Sequence, residues 1–235
     1  HVPMHLHNGI GMLWASIRDP LPDRRPSDNR MLGSHIGPGE SDYTRYDRTI
    51  TDLAVDWLQS KGRTAREPWC LYVGLVAPHF PLVAPQQFYD LYPLDTLLEP
   101  KLHPRNGYNL HPWLQEHEDF WSHEATLKDE CERRMAIAAY YGLVSWLDHN
   151  VGRILTTLDV AGLTDKTRVI YASDHGDNLG ARGLWGKSNL YRESVDIPMI
   201  AAGPGFEHAR CDTPVSLLDL SVTLLDCFGL DAAKV

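Results

Sequence analysis

Three short apolar runs limit what this chain can build: CLYVGLVAP at 70–78, RVIYAS at 168–173 and IPMIAAG at 197–203. None alternates polar with apolar, so each predicts a strand buried on both faces rather than one with a wet side. Such strands need helices above and below, and helical patterns flank them. Over 41–62, Tyr46, Ile50, Leu53, Ala54, Trp57 and Leu58 recur at steps of three and four, with Ser41 or Asp42 as cap and Gly62 as stop. A longer pattern runs from about Glu130 to Val160 and ends at Gly162, with Met135, Ala139, Leu143, Trp146 and Leu158 in its stripe. A closing helix over PVSLLDLSVTLLDCFG has Pro214 in its first turn and a glycine after its last. The order predicts an α/β fold with a mostly parallel central sheet covered by helices on both faces.

Between these elements lie two irregular segments. Residues 1–40, rich in Pro, Gly, Asp and Arg, read as an ordered arm over the core, because Met12, Trp14 and Ile17 are costly to leave wet. His1, His5 and His7 read as exposed histidines rather than a metal clip. Residues 86–130 read as an insertion with short helical pieces at best. All 235 residues are expected to form part of one catalytic domain. The formal charge of −9 argues against a nucleic-acid partner, though a few local cations or a metal can still attract an anion into a cleft. No apolar run reaches the length of a membrane span, and a soluble protein is expected, cytoplasmic or periplasmic. The four cysteines form no C-x-x-C pair; Cys70 and Cys227, in apolar runs, read as small core residues.

In open α/β sheets, ligands bind beyond the carboxyl ends of the strands. The first run ends at Pro78-His79 and the second at Asp174-His175. If the strands are parallel neighbours, these side chains converge. Asp174 and His175 offer a carboxylate and an imidazole, good ligands for a divalent cation. Gly176 and Gly180 let the loop turn sharply past a bound anion, Asp177 can cap the next turn, and Lys187 returns a positive charge to the same mouth. Arg182, Asn189 and Arg192 are near enough to reach a substrate but read as ordinary loop residues. Asp148 reads as a buried cap or ion-pair partner. No phosphate-binding glycine loop follows any of the three strands, which sets aside a nucleotide-binding protein.

The stretch SDHGDNLG at 173–180, a lysine shortly after it, and YRESVDIP at 191–198 feeding the next strand resemble the sulfatase family of the alkaline-phosphatase-like superfamily. The choline-sulfatase and phosphonate-monoester-hydrolase branch is the most similar. APHFPLVAP at 77–85 resembles the Pro-His-x-Pro strand end of those enzymes, and the similarity runs from about Tyr43 to Leu230. The resemblance implies that Asp174 and His175 ligate one divalent cation, calcium in most sulfatases, with manganese or zinc as alternatives where the pair is Asp-His. It implies that His79 and Lys187 contact the non-bridging oxygens of a small anionic ester, and that one of them assists departure of the alcohol.

The family attacks sulfur with a formylglycine made within a C/S-x-P-x-R motif, and none of the four cysteines here is followed by Pro and Arg at those spacings. The nucleophile and further metal carboxylates are therefore expected upstream of His1. The expected reaction is metal-dependent hydrolysis of a sulfate monoester. The alternatives are a phosphonate monoester or phosphodiester hydrolase on the same scaffold, and a non-catalytic sulfatase-like fragment. A homo-oligomer, or pairing with the missing N-terminal half, is expected to cover the sheet edges.

Overall fold

A computed structural model describes residues 31–120 and 122–230. The histidines and apolar residues singled out before residue 31 lie outside them. Along the chain come β1 (Gly37–Pro38), α1 (Asp42–Trp57), β2 (Val83–Ala84), α2 (Gln86–Tyr89), α3 (Pro112–Phe120), α4 (Glu130–Val160), β3 (Val169–Ala172), α5 (Arg192–Val195), β4 (Met199–Ala202) and α6 (Leu217–Cys227). Among the described residues no helix is long and apolar enough to cross a membrane.

Helix α1 starts where Ser41 closes a capping box: Ser41 Oγ accepts from Thr44 N at 3.2 Å, and Thr44 Oγ1 accepts from Ser41 N at 2.9 Å. It runs on into a π-helical turn, Leu58–Gly62. Its buried face is the expected apolar one only in part, at Ala54 and Leu58. Thr44, Asp47, Thr51, Ala54 and Leu58 are buried, whereas Tyr46 and Leu53 are exposed. The 3-4-3-4 spacing of this polar-rich set is as regular as that of the apolar set, and packing on α4 selects it.

The bounds and stop of α4 are those expected. Asp129 caps its start by accepting from Glu132 N at 2.8 Å, and Gly162 follows its end in left-handed backbone. Ala136, Ala139, Leu143 and Trp146 of α4 share a core with Leu32, Ile36, Leu82 and Ala84. The end of the expected arm is thus anchored, and β1 lies parallel to β2 with Gly37 opposite Val83.

The sheet differs from expectation. Among the described residues there are two two-stranded sheets, β1–β2 parallel and β3–β4 antiparallel, with Val169 opposite Ala202 and Ala172 opposite Met199. A parallel return from β3 to β4 requires a crossover over one face, usually a long helix. The connection holds no long helix, only a 3-10 turn at Ala181–Gly183 and the four-residue α5, and the chain turns back along its own edge. The first apolar run, 70–76, forms no strand; Tyr72 in it is 89% exposed and Cys70 is exposed too. A strand exists only beside a hydrogen-bonding neighbour, and no described segment lies alongside this run. For the same reason β3 is half-buried, β4 is largely exposed with Ile200 at 61%, and Cys227 is half-buried. Helix α6 has its capping box at Ser216 and Asp219, which puts Pro214 before the cap rather than inside the first turn.

Candidate active site

His79 reaches the site from the end of the first apolar run without a sheet ladder to hold it. Its placement rests on Asp47 of α1, whose buried carboxylate accepts from the backbone N–H of Val76 at 2.7 Å and of Ala77 at 2.9 Å. Burial pushes the Asp47 carboxyl above the usual range, against the two backbone bonds that favour its charge. The ring of His79 packs against Phe80 and edge-on to Tyr43.

The tautomer of His79 follows from its partners. Nδ1–H donates to the Phe80 carbonyl at 2.7 Å, which leaves the Nε2 lone pair to accept from the Lys187 ammonium at 3.1 Å. Desolvation lowers the pKa of both groups. The neighbouring Lys187 and His175 add to the effect on His79, and Asp174 and Asp177 oppose it on Lys187. Two positive charges this close in a half-buried place repel strongly, so the pair carries one charge.

Lys187 is delivered by a clasped loop. Asp177 Oδ1 accepts from Leu179 N at 2.8 Å and from Gly186 N at 3.1 Å, so it caps the turn as expected and also closes the loop one residue before Lys187. Buried Asn178 adds a second clasp: its N–H donates to the Gly186 carbonyl at 2.8 Å, and Nδ2 donates to the same oxygen at 2.6 Å. Gly176 is part of this frame, its N–H donating to the Ser194 carbonyl at 2.8 Å. A Cβ there would stand 2.1 Å from the Glu193 carbonyl oxygen.

Asp174 and His175 follow β3 directly. His175 Nδ1–H donates to the Gly176 carbonyl at 2.8 Å, so the Nε2 lone pair faces outward, 3.4 Å from Asp174 Oδ2. A carboxylate oxygen and an imidazole lone pair this close form a donor set that could hold a divalent ion. Among the described residues no third His, Cys, Asp or Glu joins them. The His79 and His175 rings lie 6.4 Å apart, centroid to centroid. The four residues singled out from the sequence are therefore brought together.

The loop residues read as ordinary are framework. Asn189 Oδ1 accepts from Tyr191 N and Ser194 Oγ, Arg192 pairs with Asp196, and Arg182 pairs with Glu193 at 2.8 Å. Asp148 is exposed rather than buried. Asp47 and Asn178 were not identified as site residues; the one available signal was a carboxylate in step with Thr44 and Thr51.

Residues 16–230 match the family described as Sulfatase. A choline-sulfatase of Rhizobium meliloti (strain 1021) is 34% identical over 230 residues, covering 91% of this chain and 44% of its own length. The multifunctional alkaline phosphatase superfamily protein PehA of Trinickia caryophylli is 32% identical over 231 residues, 89% of this chain and 44% of its own. Among solved structures, the phosphonate monoester hydrolase SpPMH from Silicibacter pomeroyi superimposes with a TM-score of 0.63 at 24% identity, over 93% of this chain and 46% of that one. The chain spans about half the length of the curated relatives it matches. The likeness to SpPMH shows the fold, an α/β architecture shared with that structure. With the family match running over most of its length, the chain belongs to the sulfatase family.

Proposed function

We propose that the protein hydrolyses sulfate monoesters, with His79, Lys187, Asp174 and His175 as its anion-handling half. The observation that carries this reading is the 3.1 Å contact between Lys187 Nζ and His79 Nε2, made across 108 residues of chain beside the Asp174–His175 pair. A desolvated pair sharing one charge is short of negative partners, and an anionic ester supplies them. Lys187 spends one ammonium proton on His79 and has two left for non-bridging oxygens. A proton passed from Nζ to Nε2 makes His79 an acid of low pKa, suited to protonating the departing alcohol.

Asp174 and His175 would hold the divalent ion, calcium first and manganese or zinc as alternatives, which would neutralise charge on the ester oxygens. The nucleophile, formylglycine in this reading, comes from outside these 235 residues. The exposed Tyr72, Ile200 and Leu218 support pairing of this chain with further chain, as its N-terminal half or a second copy.

The test uses the full-length protein on an aryl sulfate and an aryl phosphodiester in parallel. Lys187→Ala and Asp174→Ala are each expected to cut sulfate turnover by about 100-fold or more. Wild-type rates in both variants overturn the reading. The 32% identity to a multifunctional member of the superfamily supports a second reading, phosphonate monoester or phosphodiester hydrolysis by the same residues. A higher rate on the phosphodiester would select it.

A further inference from the structure

The segment after α2, left without a role by the chemistry above, forms the seat of the loop that carries Lys187. Trp185, buried two residues before Lys187, donates its Nε1–H to Glu124 Oε2 at 2.7 Å. The other oxygen of Glu124 accepts from Arg133 Nε at 2.6 Å and from His103 Nε2 at 3.2 Å. His103 Nδ1 already accepts from Arg105 N, so its Nε2 is the protonated, donating nitrogen. Glu124 thus receives donors on both oxygens, and only a carboxylate can accept on both sides.

The backbones of the seat and the loop are also in contact. Arg182 N–H donates to the Lys101 carbonyl at 3.0 Å, and a Cβ on Gly180 would come within 2.9 Å of Pro100 Cγ. Leu102, Leu179 and Arg182 all sit in left-handed backbone at this junction, with φ of 53°, 47° and 61°. Non-glycine residues hold that conformation only where their surroundings over-determine it. Three of them at one joint mark a loop whose path is imposed by its seat.

We infer that Glu124 is a positioning residue for Lys187, acting through the Trp185 side chain. The geometry stands independently of the proposed hydrolysis; its meaning for turnover rests on that reading. Gln at 124 has one acceptor oxygen, so its amide N–H must face either Trp185 or the Arg133–His103 side, donor against donor. Phe at 185 removes the donor, keeps most of the ring's bulk, and leaves the rest of the Glu124 network intact.

The experiment follows Lys187 itself in the full-length protein. Wild type, Glu124→Gln, Trp185→Phe and the double variant are pulse-acetylated with acetic anhydride across a pH series, and each lysine is quantified by peptide mass spectrometry. Exposed Lys61 and Lys166 serve as internal references. In each single variant the midpoint of Lys187 acylation is expected to rise by about one pH unit toward the references, as the amine leaves its half-buried seat. The double variant is expected to move no further than either single one, because both act through one bond. Turnover is expected to fall in kcat on the order of 10-fold to 100-fold with KM little changed. An unchanged Lys187 midpoint in Trp185→Phe, or shifts that simply add in the double variant, overturns the inference. Raised Lys187 midpoints in the variants, together with a wild-type protein that hydrolyses no ester, uphold the positioning and sink the proposed function, so the two failures are separable.

Discussion

Replacing Asp47 by Asn tests whether a helix side chain, rather than a sheet, holds His79. Asp47 is fully buried and accepts two backbone N–H groups, Val76 at 2.7 Å and Ala77 at 2.9 Å. Asn offers one acceptor, so one N–H keeps a neutral bond while the other faces an amide N–H. A lost charge-assisted bond and a stranded buried N–H together cost about 3–5 kcal/mol. Removing a desolvated charge returns part of that, which leaves about 2 kcal/mol of net destabilisation. For about 150–250 residues that lowers Tm by about 4–8 °C, and for a chain about twice as long by about half as much.

The pH dependence has a definite sign. The folded pKa of Asp47 is raised above its unfolded value, so its contribution is fully present below the unfolded pKa and is lost as pH rises through the folded one. The stability advantage of wild type over the Asn variant is therefore largest at the acid end and shrinks upward, levelling off once Asp47 ionises in the folded protein. Thermal denaturation of both full-length proteins from about pH 4, close to the ordinary carboxylate value, up to about pH 8 reads this decline directly. Turnover should fall too, since misplacing His79 by about 1 Å costs up to about 100-fold. Equal melting temperatures, or a gap that widens with rising pH, would refute the argument.

Gly176→Ala sets a Cβ 2.1 Å from the Glu193 carbonyl, with backbone on both sides, and should destabilise by about 3 kcal/mol, measured by chemical denaturation. Asp174→Asn weakens one of the two proposed ligands, and calorimetric titration with calcium, manganese and zinc should show at least about a ten-fold loss of affinity for the preferred ion. Because desolvation lowers both pKa values, the profile of kcat/KM against pH should be bell-shaped. Its acid limb should lie below about 6.5, the ordinary value for His79, and its alkaline limb below about 10.4, the ordinary value for Lys187. Lys187→Arg, which cannot lose its charge, should abolish the alkaline limb if it retains turnover.

Local signals proved legible wherever one residue type decides a local outcome. The Ser41 cap, the run of α4 from Glu130 to Val160 and its stop at Gly162 are short-range matters of side chain against nearby backbone. His79, Lys187, Asp174 and His175 do meet, though not through the expected parallel neighbouring strands, since the run before His79 forms no strand among the described residues. Pairing was not legible. Periodicity says that residues 169–172 and 199–202 are extended, but the direction of β4 depends on whether the connection can cross a face, and α5 is too short to carry it. The buried side of α1 was misread in part because two sets of residues share the same spacing, and tertiary contact with α4 chose the polar-rich one. Glu124 was invisible because its partners lie 9, 21 and 61 residues away in the chain.

These misses share a physical origin that bears on the site. The sequence suggests that strands carry the reactive residues and hold them by ladder bonds, yet the run leading to His79 has no ladder among the described residues, and its Tyr72 is exposed. What fixes His79 is one carboxylate on two N–H groups; what fixes Lys187 is Asp177 and Asn178 closing on Gly186, with Trp185 seated on Glu124. Each fixture is a buried or half-buried side-chain acceptor, or an amide donor, meeting backbone or indole, and each gains strength where burial keeps competing water away. Such fixtures do not require a completed sheet. The 3.1 Å contact between Lys187 and His79 can therefore persist while residues 70–76 lack a neighbour, and adding one should change the exposure of Tyr72 far more than the geometry of the site.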